Sequence, residues 1–419
     1  MVGYKHEVFH EGSVAHMRRM AAIVLTACML LALCVPAAAA QDPFTDLGQI
    51  ENRSEVTLLV ALGLLSGYTD GSFRPENTIT RAETAKLIAL LCEEAPGGGS
   101  GRFSDLEGCW AADYILYCAG KGIIAGDGAG HFRPQDSVTG RELAKMLLVV
   151  VGSDPDRYTG SDWSAAVDAD AAAYGIYARF TQDPAAPISR DNACLLIYNA
   201  TQCLAVAGYD AGGSPVYAVD SLMNPVTYLE QRFGVVRYTS VLTGNEYADL
   251  TVSGGKLEQG FSKLAGHKAF AVTTDLSLVG RCVDIYVQGS QVIGTPCAST
   301  SVTSYTFTSK AELEQLCQLT DYRLAEDAAY YYNYKATSRQ ALDQLSGTAE
   351  IIVLDQDGDL AFEQVLIVSF VSGAVEQSEP LRVHVDGSLV SALAYQSGDV
   401  FETGQTVQCV QINGQWFVK

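Results

Sequence analysis

Residues Gly67–Leu91 read GYTDGSFRPENTITRAETAKLIALL, and this stretch decides the fold of the first half of the chain. Its first part is rich in Gly, Asp and Pro, which disfavour continuation of a helix. Thr80 and Glu83 then have the spacing of a capping box, in which the Thr side chain accepts from one free N–H and the Glu reaches back to another. The stretch therefore predicts a loop followed by a helix that begins near Arg81.

The same pattern recurs along the chain, and such self-similarity is typical of repeat architectures. Phe44–Leu91 and Phe103–Val150 align without a gap, and Tyr158–Ala200 is a looser third copy. The third copy is tied to the second by a tryptophan at the same distance before a glycine, Trp163 before Gly175 as Trp110 before Gly122. Each copy predicts a helix, a loop and a second helix.

Gly67–Leu91 resembles the signature of the S-layer homology (SLH) domain, a GY-x-DG-x-F-x-P loop followed by an I-T-R-A-E helix start. The resemblance covers about residues 43–205. It implies repeats at residues 43–92, 102–151 and 156–205, folded as a mainly helical triplet of three helix-loop-helix prongs. The second copy departs from the signature by Gly140 in the arginine position, and the third, divergent copy lacks the DG-x-F loop.

The resemblance also implies a function. Triplets of this family bind a secondary cell-wall polysaccharide, often pyruvylated, in grooves between their prongs, and so anchor a secreted protein non-covalently at the cell wall or in an S-layer. The polysaccharide is thus the expected partner, and self-association in a surface layer is left open. The chemistry agrees, because a pyruvate ketal presents a carboxylate that Arg can bind with two hydrogen bonds.

Three arginines are candidate polysaccharide-binding residues. Arg81 and Arg190 lie just inside predicted helix starts, where the helix dipole and free N–H groups favour an anion. Arg141, one position after Gly140, is a candidate substitute in the second copy. The alternative is that these arginines lie on the surface and pair with nearby acidic residues.

Two tryptophans and an aspartate complete the candidates. Trp110 and Trp163 are candidate platforms for the apolar face of a sugar ring, and the alternative is that they anchor the core at helix starts. Asp70 is a candidate acceptor for a sugar hydroxyl, with a turn-forming role as the alternative.

The N-terminal sequence predicts export. Residues 17–40 read MRRMAAIVLTACMLLALCVPAAAA, with a basic start, an apolar centre and a small-residue end. This is the pattern of a secretory signal peptide over residues 1–40, with Met17 as an alternative start of translation. A retained transmembrane helix is the alternative, but the apolar run is shorter than the roughly 20 residues that a span needs. We therefore expect no membrane segment in the mature form.

The net charge narrows the range of partners. Acidic residues outnumber basic ones 48 to 27, and the formal net charge is −21. Such a chain repels nucleic acid, so we expect no nucleic-acid partner. An anionic ligand has to be held by a local group of cations.

The second half of the chain has a different composition. Residues 206–217 are predicted to be a linker, and residues 218–419 contain many segments rich in Val, Ile, Tyr and Thr, with two short helices. They predict one or two mainly β modules of unknown function. DIYVQGSQVIG predicts a hairpin that turns at Gly289–Ser290.

Asp355, Asp357 and Asp359, followed by Glu363, form the one candidate metal site in the second half. Alternating carboxylates can hold calcium. An EF-hand loop needs its glycine after the third acid, but Gly358 precedes Asp359. We therefore predict a tight acidic turn between two strands, and no metal.

Catalytic motifs are missing after residue 40, where the chain has no HExxH, GxSxG or CxxC sequence. No cofactor is expected, and the leading interpretation is a wall-bound protein that displays a β-rich module and is not an enzyme. Two alternatives stay open: a wall-anchored hydrolase acting on polysaccharide, with paired carboxylates in residues 218–419, or an adhesin.

Overall fold

The computed structural model describes residues 44–92, 103–345 and 349–419. The predicted signal peptide, residues 1–40, lies outside these ranges. Helices fill the first part of the described chain and β-sheets the second, which confirms the predicted division into a helical half and a mainly β half.

Six helices in the first half form three successive helix-loop-helix units. The bounds of the helices are α1 Arg53–Ala61, α2 Arg81–Cys92, α3 Ala112–Gly120, α4 Gly140–Val150, α5 Trp163–Ala173 and α6 Arg190–Gln202. We call the units that contain α1 and α2, α3 and α4, and α5 and α6 the first, second and third unit.

The predicted caps define where the second helix of each unit begins. Glu142 N donates to Thr139 Oγ1 and Thr139 N donates to the Glu142 carboxylate, which together complete a capping box. Thr80 and Glu83 make the same pair of bonds before α2. Ser189 caps α6 through Asn192 N.

The three units close into a ring. The first N–H groups of α2 donate to the loop carbonyls of Asp136 and Pro134 in the second unit. Those of α4 donate to the loop of the third unit, and those of α6 donate to the carbonyls of Asn77 and Pro75 in the first. One continuous apolar core, with Phe73 and Phe132 fully buried, lies beneath this ring.

Residues 206–217, predicted to be a linker, form a two-stranded hairpin instead. Its strands are β1 Val206–Tyr209 and β2 Pro215–Tyr217. The short helix α7, Tyr228–Phe233, follows, and Tyr228 Oη and the Arg232 guanidinium donate to carbonyls at the end of α2.

The first large sheet has the strand order β5-β4-β3-β6-β7. Its strands are β3 Val235–Gly244, β4 Ser262–Leu264, β5 Ala269–Phe270, β6 Cys282–Gln288 and β7 Gln291–Ala298. Gln288 pairs with Gln291, so the hairpin predicted at Gly289–Ser290 is confirmed. We call this assembly the β3–β7 sheet.

The second sheet has the order β10-β9-β12-β11-β8. Its strands are β8 Thr303–Phe307, β9 Arg323–Tyr332, β10 Lys335–Thr337, β11 Ala349–Asp355 and β12 Ala361–Ser369, and its helices are α8 Lys310–Leu319 and α9 Gln340–Asp343. Strand β12 runs parallel to β9 and antiparallel to β11.

The last five strands close into a small barrel with the order β13-β14-β15-β17-β16. They are β13 Val371–Gln377, β14 Arg382–Val385, β15 Ser388–Ala394, β16 Thr406–Ile412 and β17 Gln415–Val418. The region predicted as one or two β modules therefore contains three β assemblies beyond the hairpin.

Candidate binding site

The larger of two pockets in the helical half brings together side chains from all three units. Arg81 comes from the start of α2, Lys145 from α4 and Trp163 from the start of α5. The pocket is open to solvent and has a volume of about 540 Å³. We call it the Arg81 pocket.

The Arg81 guanidinium is held in a fixed plane. Its Nε donates to Phe132 O and its Nη2 to Ala125 O, both at 2.8 Å, and its Cζ lies 4.4 Å from the centre of the Phe132 ring. Burial lowers the pKa of the Arg81 guanidinium from its ordinary value. An arginine stays protonated in proteins, and it has five N–H donors, so these two bonds leave donors for a ligand.

Lys145 and Trp163 form the opposite side of the pocket. The Lys145 ammonium lies 5.5 Å from the centre of the Trp163 ring, within the range of a cation–π contact. The carboxylate of Glu142, which also lines the pocket, accepts from Thr139 N and Thr139 Oγ1. Three cations, Arg81, Arg133 and Lys145, thus share one cavity with the Trp163 ring.

A smaller pocket repeats this composition with the units permuted. Arg190 comes from the start of α6, Lys86 from α2, and Trp110 from the segment before α3, with Tyr68 beside them. Its volume is about 150 Å³. We call it the Arg190 pocket.

Arg190 is bonded as Arg81 is. Its Nε donates to Phe73 O at 3.0 Å, which is the contact that Arg81 makes with Phe132 O. Its Cζ lies 4.9 Å from the Tyr68 ring centre, and Nη1 lies 3.5 Å from the Glu83 carboxylate. Each arginine therefore reaches from its own helix into the loop of the next unit.

The two tryptophans differ in exposure. Trp110 is 58% exposed, which a core anchor would not be, and Trp163 is half-buried. Both line pockets. Trp163 also packs against the apolar core, as the alternative interpretation expected, whereas Trp110 is not part of that core.

The expectation that free backbone N–H groups surround Arg81 and Arg190 is wrong. The Arg81 and Arg190 amides donate to Asp136 O and Asn77 O, and the next two amides in each helix are also bonded. The ring of units uses these donors. Attraction of an anion therefore depends on the side-chain cations.

The third equivalent position is filled by protein. A Cβ at Gly140 would lie 2.9 Å from Phe180 Cζ and 3.3 Å from Pro184 Cα. Arg141, the candidate substitute, donates from Nε and Nη2 to the Asp168 carboxylate at 2.7–3.0 Å, and this bond raises its pKa. Arg141 is not among the residues that line either pocket.

Asp70 has a local role in the structure. Its carboxylate accepts from Ser72 N and Ser72 Oγ and pairs with Arg74 at 2.8 Å. These bonds lower the pKa of Asp70 well below its ordinary value. Asp70 lies outside the lining of both pockets and shapes the turn before Phe73.

The acidic group in the second half spans the end of β11, the predicted turn and the start of β12. Ligand atoms of Asp355, Asp357, Asp359 and Glu363 lie within 4.8 Å of one another. The carboxylates accept backbone N–H groups of the same turn, for example Gly358 N and Leu360 N on Asp355. These bonds stabilise the turn.

Among the pocket residues that the sequence analysis missed are Lys86, Lys145, Arg133 and Tyr68. A signal for the two lysines was present, because Lys86 and Lys145 occupy the same position in the gapless alignment of the first two copies. The third copy has Leu195 there. The two copies that have a lysine here each supply it to an open pocket. The third copy, which has Leu195, matches the position that is filled by protein.

The first two units are similar in sequence to known proteins. Residues 43–85 and 102–144 match the family model of the S-layer homology domain. Cell surface glycoprotein 1 of Acetivibrio thermocellus is 42% identical over 88 residues, which are 20% of this chain and 4% of that protein. Surface layer protein of Brevibacillus choshinensis is 31% identical over 146 residues, 33% of this chain and 13% of that protein.

A third relative has a different kind of name. Exoglucanase XynX of Acetivibrio thermocellus is 31% identical over 147 residues, 32% of this chain and 13% of that protein. The chain thus spans between 4% and 13% of the length of these three relatives.

No helix within residues 44–92, 103–345 and 349–419 is long and apolar enough to cross a membrane. The match and the surface-protein relatives identify two S-layer homology repeats within residues 43–144 and locate the protein at the bacterial cell wall or cell surface.

Proposed function

We propose that the protein is anchored non-covalently to the cell wall by secondary cell-wall polysaccharide bound in the Arg81 pocket and the Arg190 pocket. In this proposal residues 218–419 are the displayed part, and no catalytic role is assigned to them. The observation that carries the proposal is the composition of the pockets: each includes an Arg, a Lys and a Trp drawn from three different units, and the Arg81 pocket also includes Arg133.

The ligand class follows from this composition. A carboxylate, such as that of a pyruvate ketal, accepts charge-assisted hydrogen bonds from a guanidinium held in a fixed plane. The neighbouring lysine adds charge, and the tryptophan offers a face to the apolar side of a sugar ring. Because the chain has a net charge of −21, local cations of this kind are needed to attract an anionic polymer.

We further propose that residues 156–205 are a third, divergent S-layer homology repeat. The backbone supports this, because the third loop repeats a turn of the second: Asp183 O accepts from Ala186 N as Arg133 O accepts from Asp136 N, in each case just before a proline. Arg190 also bonds the first unit as Arg81 bonds the second.

Substitution of the arginines tests the proposal in the full chain. Arg81→Ala and Arg190→Ala should each weaken binding to purified cell-wall sacculi about tenfold or more, because a charge-assisted hydrogen bond contributes roughly 1.5–3 kcal/mol. The double variant should lose most binding. The double substitution Lys86→Ala, Lys145→Ala is a second test. It should weaken binding less than the arginine variants do, and it leaves the bonds from the two arginines to the loop carbonyls in place.

Arg323→Ala is the matched control. Arg323 is an exposed arginine paired with Asp359 at 3.0 Å in the second sheet, far in sequence from both pockets. It should bind sacculi as the wild type does. The proposal fails if the double arginine variant keeps its circular dichroism spectrum and binds sacculi as tightly as Arg323→Ala.

A further inference from the structure

The β3–β7 sheet contacts two helices that both lead into the Arg190 pocket. Helix α1 ends at Ala61, and the residues that follow it, Leu64–Tyr68, line this pocket. Helix α6 begins with Arg190 itself. The sheet therefore touches the elements that position the two sides of one pocket.

The contact with α1 is a close approach of two backbones. Gly294 in β7 has φ of +66°, and a Cβ on it would lie 3.3 Å from Leu58 Cα. Glycine is the residue that permits both this backbone conformation and this distance. Leu58 is fully buried here in an apolar cluster with Leu229, Val235 and Tyr286.

The contact with α6 is a pair of tyrosines. The Tyr198 and Tyr286 hydroxyls are 2.6 Å apart, and the rings meet edge to face with centroids 6.4 Å apart. Tyr198 lies on the same helix as Arg190, about 12 Å along its axis at 1.5 Å per residue. A straight helix transmits the position of one residue to the other.

A buried carboxylate joins the same two helices at their other ends. Asp191 follows Arg190, and its oxygens accept from Glu51 N at 3.1 Å and Asn52 N at 3.2 Å, just before α1. Asn52 makes no side-chain cap of its own. Helices α1 and α6 are thus held by Asp191 at one end and by the sheet further along.

The Arg81 pocket lacks this support. Its lining residues come from α2, from the loop and second helix of the second unit, and from the segment at Tyr158–Trp163. None of these lining residues lies in α1 or α6. The two pockets therefore differ in their contact with the β3–β7 sheet, since the helix that carries Arg81 is contacted instead by α7, through Tyr228 and Arg232.

We propose that the β3–β7 sheet is a structural part of the wall-binding unit and positions the Arg190 pocket. The wall-binding unit then extends well beyond the helical repeats, to about the end of β7, and the displayed part is confined to the residues that follow Ala298. This proposal is tested by amide hydrogen exchange and by binding to sacculi. Only the binding experiment rests on the proposed function.

Two glycines of one hairpin give a matched pair of variants in the full chain. Gly294→Ala and Gly289→Ala both place a side chain at positive φ, 66° and 61°, but a Cβ at Gly289 meets nothing within 4 Å. Gly294→Ala should speed amide exchange in residues 53–68 and 190–202 about tenfold relative to Gly289→Ala, because overpacking pushes the sheet from α1. Exchange in residues 112–133 should be the same in both variants.

Tyr286→Phe is a gentler second variant, which removes one hydroxyl and keeps the ring. It should speed exchange in α6 without unfolding the sheet. The proposal is overturned if the amide exchange rates of residues 53–68 and 190–202 are the same in Gly294→Ala and Gly289→Ala. It is also overturned if Tyr286→Phe leaves the exchange rates of α6 unchanged.

Binding to sacculi shows whether the support matters for anchoring. Gly294→Ala should weaken binding severalfold in an Arg81→Ala background, where the Arg190 pocket carries the binding, and hardly at all in an Arg190→Ala background. The reason is that the effects of two substitutions on one site are not additive. An equal loss in both backgrounds would contradict positioning of the Arg190 pocket. If Arg190→Ala itself binds as wild type, the proposed function is at fault, and the exchange result still decides the structural proposal.

Discussion

Arg81 and Arg190 are each fixed by a phenylalanine carbonyl in the loop of the neighbouring unit, at 2.8 Å and 3.0 Å. Because both guanidiniums are already oriented, a ligand carboxylate would find its donors in place. The loss of side-chain entropy on binding is smaller for a group that is held in advance. Orientation, beyond charge alone, is therefore the property to test at this scale.

Arg81→Lys separates charge from orientation. Lys keeps the cation but has a single ammonium and no planar fork, so it cannot bond a carboxylate in two places. We expect its affinity for sacculi to fall between those of the wild type and Arg81→Ala. Affinity equal to the wild type would show that charge alone suffices and would contradict the role given to the guanidinium plane.

Asp191 is expected to stabilise the fold by capping α1 from another unit. Asp191→Ala leaves the amides of Glu51 and Asn52 without their acceptor, and an unsatisfied buried donor costs about 1–3 kcal/mol. The free energy of unfolding from urea titration should fall by about 2 kcal/mol. Asp113→Ala, an exposed acid in the first turn of α3, should change it by less than about 0.5 kcal/mol. Equal effects would contradict the capping role.

Residue identities were easier to predict than residue partners. The motif identified Arg81, Arg190, Trp110 and Trp163, and all four line pockets. The sequence could not show that the helix-start amides are bonded to loops of other units, since those contacts join residues more than forty positions apart. The contact of Arg141 with Asp168, 27 positions away in the third unit, was missed for the same kind of reason.

At the scale of elements, the third position of the ring differs from the other two. Phe180 stacks on Tyr177, with ring centroids 5.5 Å apart, and fills the space beside Gly140. Helix α4 begins with Gly140, where α2 and α6 begin with an arginine. This glycine faces the Phe180 ring. Two pockets and one closed position follow from that difference.

Gly140→Ala tests the closed position. Alanine normally stabilises a helix relative to glycine, but here its Cβ would meet Phe180 and Pro184, so we expect unfolding free energy to fall by about 1 kcal/mol or more. Gly120→Ala is the control: this glycine is also helical, and a Cβ on it meets nothing within 4 Å. It should gain about 0.4–1 kcal/mol in the same denaturation measurement. A gain for Gly140→Ala would show that the position is open.

Elements with local signals were predicted well. The capping boxes at Thr80 and Thr139 and the hairpin turn at Gly289 depend on residues close in sequence, and the structure confirms them. Residues 206–217 were misinterpreted as a linker because their Gly-rich composition is typical of one. Asp210 instead accepts from Gly212 N and Ser214 N, and this turn joins the two strands.

At the scale of the whole molecule, the three β assemblies meet at one buried acid. Glu350 in β11 pairs with Arg281, which precedes β6, at 2.8 Å. It also pairs with Lys419, which follows the last barrel strand, at 2.9 Å. Since all three residues belong to different assemblies, this network is expected to hold them together.

Glu350→Ala should therefore destabilise the β half. Removing one partner of a buried ion pair leaves an uncompensated charge, and the expected loss in unfolding free energy is about 3 kcal/mol. Glu326→Ala, an exposed acid on β9, should cost less than about 0.5 kcal/mol. Thermal unfolding followed by circular dichroism measures both, and a loss no larger than that of Glu326→Ala would contradict the joining role.

The number and arrangement of the β assemblies could not be predicted from the sequence. Strand composition identified a β region, but pairings such as β12 with β9, or β15 with β17, join segments that are not neighbours in the chain. The contact of the β3–β7 sheet with α1 and α6 could not be predicted either. Its one trace in the sequence is Gly294, a glycine within a strand. The pockets were likewise invisible, because each is assembled from three units.

The central claim is that the two pockets hold the protein on a wall polysaccharide. The most direct measurement is binding of the full chain to sacculi before and after chemical extraction of the secondary polysaccharide, with the released polymer added back as a competitor. The account predicts that the full chain binds untreated sacculi, loses this binding on extracted peptidoglycan, and is displaced by the released polymer, whereas the Arg81→Ala, Arg190→Ala double variant binds neither preparation. Equal binding of the wild type to untreated and extracted sacculi would contradict it.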